Sequence, residues 1–441
     1  MDAQSNAGEP APEPRPPRWS PIFRIAFRFC FVYFALFGLT TQIFGELFPI
    51  PNIEIPDPAT LWPLRPVVFW TAAHVFGVRR TLVDSGSGSG DKTFDWVLTF
   101  CLLVFAAFAT AVWSVLDRKR ENYTALNKWF RLFLRFALAS ELLVYGLSKV
   151  IPLQMPFPYL TRLLEPYGNF SPMAALWYSI GASPAYETFT GSVEVLAGLL
   201  LFVPRTATLG ALVSLAAMTQ VFVLNMTYDV PVKLFSFHLI LISLLVLAPE
   251  SSRLARFFFT NRPVGPSTQP ELFGTRRANR IALSAQIGFG VLLIASNLYS
   301  AGIAWHKYGG GRPRSPLYGI WTVDALSVDG KIEPSYLSGA DRFRRVIFDF
   351  PGSMVFERMN GSLASYGVTI DMKSGTLVLT KRGDKAWKAA FKFQRAAQTQ
   401  LTLDGLMDGH GIHMQLDLVD LTKFPLAGRG FHWIQEYPFV R

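Results

Sequence analysis

The chain has 441 residues and a formal net charge of +11, and only 17% of its residues are charged against 50% that are hydrophobic. Soluble domains average about a quarter charged residues, and here the apolar excess lies in long unbroken runs. This excludes a disordered chain, a coiled coil and a nucleic-acid-binding tail. The remaining class is a membrane protein with the lipid bilayer as its partner, and we expect no nucleic-acid partner.

Residues 1–20 are rich in proline and poor in apolar side chains, which predicts a disordered tail. An α-helical transmembrane domain is predicted over 21–303. Its apolar runs come near the roughly 20 residues that cross a hydrocarbon core. They predict about seven spans: 22–44, 94–115, 132–152, 187–203, 206–225, 231–248 and 281–302. Cys30 and Cys101 fall inside two of these runs, and we expect both thiols to stay free.

The basic residues predict the orientation. Arg and Lys concentrate before the first span and in the alternate loops around 118–131 and 253–280. The positive-inside rule then places the N-terminus in the cytoplasm. Seven crossings place everything after 303 outside, whereas an even count would reverse that side. We therefore predict a multi-pass protein of the inner (cytoplasmic) membrane with an extracytoplasmic C-terminal domain.

A long loop over 45–93 separates the first two spans. It is rich in proline and ends in the alternating segment Ser85–Gly90, a composition typical of a flexible linker. Asp91-Lys92-Thr93 after this segment only partly resembles a phosphate-binding loop, because Asp91 stands where a glycine is needed and its charge would oppose phosphate. The linker interpretation is therefore the better one.

A Gly- and Pro-rich stretch over 304–316 predicts a domain linker. Beyond it the pattern changes to strict alternation, as in Tyr366, Val368 and Ile370. About eight short strands bounded by turn residues predict an antiparallel β-barrel over 317–441, with a β-sandwich as the alternative. Alternation turns His413 toward solvent, so we expect no metal site there.

The first predicted strand contains Gly319-Ile320-Trp321. A Gly-x-Trp in this position resembles the lipocalin-like (calycin) pattern. The resemblance implies that the glycine lets the chain bend at the barrel floor and that the tryptophan plugs it. Arg429 or Arg441 would then cover the tryptophan through a cation–π contact.

Ionisable residues inside the predicted spans carry the functional hypothesis, because burying a charge in a bilayer costs several kcal/mol. The third span places three polar side chains on one helix face. The fourth span adds one about 10 Å below its outer end. The turn between the fifth and sixth spans adds three more, and one follows in the sixth span. We assign catalytic roles to Glu194, Lys149 and His238, and ligand binding to Glu141, Tyr145, Asn225, Asp229 and Lys233. All would meet in one polar pocket in the outer half of the bilayer.

Structural alternatives exist for these residues. Lys149 and Lys233 can extend to the interface, and Asp229 can cap the helix that follows it. Glu194 can form a buried pair with a lysine. His238 can be a hydrogen-bonded packing residue.

Three stretches resemble the DoxX/DoxD family of membrane proteins: Tyr145–Lys149 (YGLSK), 189–201 (FTGSVEVLAGLLL) and 204–207 (PRTA). The resemblance covers about 130–250 and implies a four-helix membrane core. It also implies a link to quinone-coupled oxidation of sulfur compounds or to thiol-redox membrane complexes. Lys149 and Glu194 match the family pattern. The added spans, the β domain and the lack of a redox cysteine pair depart from it.

The leading hypothesis is a membrane component of a redox complex that binds a small amphipathic ligand, with a quinone as the candidate cofactor and a redox protein as partner. The first alternative is a non-enzymatic carrier or scaffold whose β-barrel binds a lipophilic small molecule. The second is a proton-coupled transporter that uses the polar cluster. The sequence leaves open whether the chain is an enzyme.

Overall fold

The computed structural model describes residues 18–50, 53, 55–260, 262–266, 271–333 and 342–440. Most of the predicted tail, residues 1–17, and Arg441 lie outside the described residues. The chain divides into two compact units. One, the helical unit, comprises 1–150 and 189–300. The other, the barrel unit, comprises 151–188 and 301–441, so the connection at 151–188 groups with the β domain.

All seven predicted apolar runs are helical. The first helix shows why it begins where it does: Ser20 Oγ accepts the N–H of Phe23 at 3.2 Å, and Pro21 occupies the first turn. In chain order the α-helices are α1 (Pro21–Thr40), α2 (Ile43–Leu47), α3 (Leu64–His74), α4 (Thr93–Leu116), α5 (Thr124–Val150), α6 (Leu160–Leu164), α7 (Pro172–Gly181), α8 (Pro184–Phe202), α9 (Ala207–Thr227), α10 (Lys233–Leu247), α11 (Ser251–Phe259), α12 (Arg276–Lys307) and α13 (Pro425–Gly428).

Within the described residues, five helical stretches are long and apolar enough to cross a membrane. They are Pro21–Thr40, Thr93–Leu116, Ala207–Thr227, Lys233–Phe259 and Arg276–Lys307. The protein is therefore a membrane protein. The predicted count of seven exceeds this number by two, because α5 and α8 are not among the five. Both carry ionisable groups along their length, including Arg131 and Arg135 on α5 and Glu194 on α8.

Helix α5 contains an unbroken run of buried residues, Leu134–Leu143, and α8 lies against it in backbone contact. A Cβ added at Gly146 would come within 2.8 Å of the Val195 side chain, and one added at Gly191 within 2.5 Å of the Gly146 carbonyl oxygen. Only glycine fits at both positions, because any side chain would push the two backbones apart. The small residues that the sequence contains at these positions thus set the α5–α8 distance.

Buried arginines donate hydrogen bonds to backbone carbonyl groups at the ends of helices. Arg135 on α5 donates from Nε and Nη2 to the Leu201 carbonyl, at 2.9 and 2.7 Å, and from Nη2 to that of Phe202 at 3.0 Å. These carbonyls end α8, where a cation is favourable. Arg28 on α1 likewise donates to Tyr123 and to the Asp117 carbonyl. Each contact joins segments far apart in sequence.

The β domain is a closed antiparallel barrel. Eight strands pair in the order β1-β3-β4-β5-β6-β7-β8-β9, and β9 pairs back with β1, while β2 pairs with the last residues of β1. This confirms the barrel over the sandwich. The strands are β1 (Gly319–Val328), β2 (Lys331–Glu333), β3 (Phe343–Phe348), β4 (Ser353–Arg358), β5 (Leu363–Asp371), β6 (Thr376–Lys381), β7 (Asp384–Ala397), β8 (Gln400–Met407) and β9 (His410–Leu418).

The interior of the barrel is a packed core. Trp321, Phe348, Phe356, Leu401 and Met414 from five different strands have 0% of their surface exposed. A side chain that lined a water-sized cavity would keep exposed surface, so these side chains fill the space that they enclose. The barrel interior around them is therefore a hydrophobic core.

Trp321 lies near the barrel end, and its Nε1–H donates to the Leu317 carbonyl at 2.9 Å. The cation over its ring is Arg395 of β7, with Cζ 5.8 Å from the ring centroid. Arg429, predicted for this role, lies instead 4.0 Å from the ring of Phe439. The prediction for Arg429 is wrong because strand register, which three sequence letters do not fix, determines which side chain reaches the tryptophan.

Part of the predicted linker is an ordered turn. Helix α12 continues to Lys307, and the glycines that follow close around Trp305. A Cβ at Gly310 would lie 2.5 Å from the indole ring, and one at Gly311 would lie 2.4 Å from its Nε1. Because these glycines have no side chain, the backbone can pack directly against the Trp305 ring. This part of the predicted linker is therefore ordered.

The connection between α5 and α8 docks on the barrel through Asp349. Its Oδ2 accepts the N–H of Leu160 at 2.9 Å, and its Oδ1 lies 3.4 Å from Arg312 Nη2. The Arg312 guanidinium also lies against the rings of Tyr159 and Phe350, at 4.8 and 4.3 Å. One buried carboxylate therefore ties together the 151–188 connection, the turn after α12 and the end of β3.

We expect Asp349→Ala to release this connection. Hydrogen bonds to a charged group contribute about 2 kcal/mol each, so amide exchange at 155–165 should accelerate by roughly 30-fold. Hydrogen exchange with peptide-level mass spectrometry measures this. Asp417→Ala, on the exposed face of β9, is the matched control and should leave the same peptides unchanged. Equal exchange rates in the two variants would contradict the role of Asp349.

Candidate functional site

Lys149 and Glu194 form a buried ion pair between α5 and α8. Lys149 Nζ lies 2.8 Å from Oε1 and 2.7 Å from Oε2 of Glu194, and both side chains are buried. The Lys149 Nζ also lies 5.9 Å from the ring centroid of Tyr145. Each charge neutralises the other where water is excluded, which is the condition for keeping a charge inside a protein.

The pair sits at the close α5–α8 crossing. A Cβ added at Gly191 would lie 2.6 Å from the Lys149 Cβ, so the lysine stem runs along the neighbouring backbone. Contact of this kind holds the side chain in one direction. The geometry matches the structural alternative for Glu194, a buried pair with a lysine.

Both ring nitrogens of His238 on α10 form hydrogen bonds. Its Nδ1 lies 2.7 Å from the Leu234 carbonyl oxygen, its Nε2 lies 2.7 Å from the Tyr33 hydroxyl, and its ring stacks on Phe37 at 4.0 Å. A carbonyl only accepts, so Nδ1 carries a proton. The two contacts of the ring join α10 to α1.

Asp229 and Lys233 form a surface pair at the α9–α10 turn, with Nζ 2.9 Å from Oδ1 and Asp229 exposed. The first turn of α10 is capped by a residue from a distant part of the chain. Asp91 accepts the N–H groups of Lys233 and Leu234, each at 2.9 Å. Asp229 therefore does not cap α10, because Asp91 already satisfies these donors.

Asn225 stabilises the same turn. Its Nδ2 donates to Ser236 Oγ at 3.1 Å and to the Val232 carbonyl at 3.4 Å. The eight predicted site residues thus fall into separate arrangements on the structure: the Lys149–Glu194 pair, the Asp229–Lys233 pair, the His238 and Asn225 contacts, and a group formed by Glu141 and Tyr145.

A pocket of about 960 Å³ opens in the helical unit, and Tyr145 lines it. Its apolar wall is largely aromatic and aliphatic and comes from four helices: Phe37, Phe94, Leu98, Val144, Leu234 and Phe235. Its polar wall comes from the 41–46 stretch, the loop at 57, the 84–95 stretch, α5 and α12: Thr41, Gln42, Glu46, Asp57, Lys92, Asp95, Tyr145 and Asn297. Such a mixture suits a ligand that has a polar head and an apolar body.

Glu141, Gln42 and Tyr145 form a hydrogen-bonded group at the pocket wall. Gln42 Nε2 donates to Glu141 Oε2 at 2.8 Å and to the Tyr145 hydroxyl at 3.0 Å. Glu141 is fully buried, and its Oε1 has no hydrogen-bond partner among the described residues. None of the residues that the structure describes accepts a hydrogen bond from the Tyr145 hydroxyl. This hydroxyl is therefore available to donate to a ligand.

The pocket wall is acidic. Two of its carboxylates have basic partners: Asp84 lies 2.6 Å from Arg65, and Asp95 lies 3.0 Å from Lys92. The hydrogen bond from Arg65 lowers the pKa of Asp84. Glu46 is different, because burial and the nearby charge of Asp57 raise the pKa of its carboxyl group.

The Ser85–Gly90 segment lines this pocket, although its composition predicted only a linker. The Gly90 N–H donates to the Pro231 carbonyl at 2.8 Å, and Asp91 caps α10, so the segment is anchored at one end. Sequence reasoning also missed Gln42 and Glu46. The available signal was their i, i+4 spacing at the end of the first predicted span.

The described residues contain no group of three His, Cys, Asp or Glu side chains arranged to hold a metal ion. His410 pairs with Asp329 at 2.7 Å, and His413 pairs with Asp404, on the barrel surface. Cys30 and Cys101 are free thiols, as predicted.

We expect Lys149→Met to destabilise the helical unit by about 3–5 kcal/mol, because it leaves the Glu194 charge buried without a partner. The double variant Lys149→Met/Glu194→Leu should recover most of that loss. Thermal unfolding in detergent measures both. Lys233→Met, which breaks the exposed pair, is the control and should cost less than about 1 kcal/mol. A double variant no more stable than Lys149→Met would contradict a mainly electrostatic cost.

Comparison with known proteins gives a sequence relative without a described activity. No family model matches the chain, and no solved structure matches it. The uncharacterized protein YwoB of Bacillus subtilis (strain 168) is 36% identical over 129 residues, which is 29% of this chain and 79% of YwoB. Identity at this level over most of the relative shows common descent. The chain belongs to the same protein family as YwoB.

Proposed function

We propose that the chain is an inner-membrane component of a redox complex, related to the DoxX family, and that it binds a small amphipathic molecule in the pocket of the helical unit. A quinone is the ligand that fits this proposal best. The observation that carries it is the hydroxyl of Tyr145, whose proton is available at the wall of a 960 Å³ pocket. In this proposal the N-terminus is cytoplasmic and the barrel extracytoplasmic.

The chemistry of the pocket supports a quinone. A quinone carbonyl needs a hydrogen-bond donor, which Tyr145 supplies, and the Gln42 amide fixes the position of that hydroxyl. The quinone ring and tail need apolar surface, which Phe37, Phe94 and Phe235 supply. Ligand pockets of roughly 300–1,000 Å³ are usual for molecules of this size.

The acidic wall supports a role in proton transfer. When a partner protein oxidises a bound quinol, the two electrons pass to the partner and two protons are released. Glu46 lines the pocket, and its raised pKa brings the carboxyl group closer to neutral pH, where it can accept one of these protons. The second proton passes to water. The chain thus supplies the binding site and a proton acceptor.

The alternatives have less support. A lipophilic carrier that uses the barrel needs an internal cavity, whereas side chains with no exposed surface fill the barrel interior. A proton-coupled transporter needs ionisable groups joined along one path. The Lys149–Glu194 and Asp229–Lys233 pairs are instead separate and mutually neutralised.

We expect Tyr145→Phe to weaken quinone binding about fivefold, since one neutral hydrogen bond contributes about 1 kcal/mol. The Kd of a short-chain quinone, measured by equilibrium dialysis in detergent, tests this. Tyr228→Phe removes a hydroxyl outside the pocket and is the matched control. Unchanged affinity in Tyr145→Phe, or no saturable binding by the unmodified chain, would refute the proposed site.

Glu46→Gln tests the acidic wall through pH. A carboxyl group whose pKa is raised in the folded state binds its proton more tightly than in the unfolded chain. The folded protein therefore loses stability as the pH rises from the unfolded value, about 4.5, through the folded pKa. Glu46→Gln should remove that loss and melt at a higher temperature at pH 8, with the difference shrinking toward pH 4.5. A pH-independent difference would contradict the raised pKa.

A further inference from the structure

The stretch 429–440 of the barrel unit exposes an unusual number of large apolar side chains. Phe431 is 76% exposed, Trp433 91%, Ile434 81%, Tyr437 83% and Val440 88%. Soluble proteins rarely expose so many large apolar side chains in one short stretch. In the described part of the chain, the barrel core forms without any of them.

This stretch, which we call the aromatic segment, has internal order. Arg429 Nη2 donates to Gln435 Oε1 at 2.9 Å, and its Cζ lies 4.0 Å from the ring of Phe439. The rings of Phe431 and Trp433 meet edge to face at 5.1 Å. Arg429 therefore folds the segment back on itself, and the apolar side chains remain outside.

The aromatic segment begins at the end of the barrel that connects to the membrane helices. Phe424, just before it, packs with Leu160 and Ile320 in one apolar cluster. Leu160 follows the end of α5 at Val150 by about ten residues, and Ile320 follows the end of α12 by about thirteen. This is therefore the end of the barrel at which the chain arrives from α12, which is long and apolar enough to cross a membrane.

We propose that the aromatic segment inserts into the lipid headgroup region and so anchors the barrel on the bilayer surface. Tyrosine and tryptophan favour this region because they have an apolar body and a polar tip. Arg429 and Glu436 are the charged residues of the segment and offset each other, so its affinity for the headgroup region comes from the aromatic and aliphatic side chains. The occupant is the bilayer of the membrane that α12 crosses.

Fluorescence quenching tests the proposal on the full chain. Cys30→Ala and Cys101→Ala remove the native thiols, and His432→Cys carries an environment-sensitive fluorophore in nanodiscs that contain anionic lipid. Arg382→Cys in the β6–β7 turn, at the opposite end of the barrel, is the control. We expect quenching by spin-labelled lipid to be at least about twofold stronger at 432 than at 382, and quenching by aqueous iodide to be weaker.

Replacing aromatic side chains of the aromatic segment by serine gives a second test. Phe431→Ser/Trp433→Ser/Tyr437→Ser should bring lipid quenching at 432 down to the level at 382. Equal iodide quenching at the two positions would overturn the proposal. So would a label at 432 that is shielded from iodide but not quenched by lipid, because another protein or a second copy would then cover the segment.

Discussion

The ion pair of Lys149 and Glu194 is the interaction on which the helical unit depends. Two charges inside a bundle are stable only when each neutralises the other, and here one lysine nitrogen contacts both oxygens of one carboxylate. The glycines at 146 and 191 bring α5 and α8 close enough for this contact. Helix α5, fixed in this way, also carries Glu141 and Tyr145, so the position of the pocket wall follows from the same crossing.

Much of the architecture could be predicted from the sequence, because it depends on local periodicity. Continuous apolar runs predicted some helices to within a few residues, as for α4 at Thr93–Leu116, whereas α5 begins at Thr124, eight residues before the predicted span. Strict alternation around Tyr366 and Val368 predicted strand β5 and its buried face. The helix–strand distinction needs only the repeat of 3.6 or 2 residues. Membrane placement follows from length and composition in the same way.

The candidate pocket could not be predicted, because it is assembled from contacts between distant residues. Gln42 reaches Glu141 across 99 positions, and Asp91 caps α10 across 142. The Ser85–Gly90 segment has the composition of a linker and becomes a pocket wall only because its end is fixed to α10. The barrel shows the same limit, since register gave Trp321 to Arg395 and not to Arg429. Burial was predictable for His238, but its partner Tyr33 was not.

Photoaffinity labelling can show whether a ligand occupies the pocket of the helical unit. An azido-quinone would be irradiated with the full chain in native membranes, and the labelled peptides would be mapped by mass spectrometry. We expect labels within 37–46, 84–99 and 144–145, which excess unlabelled quinone abolishes. Labels confined to the barrel over 317–440, or labels that excess quinone does not displace, would show that the pocket does not bind the quinone.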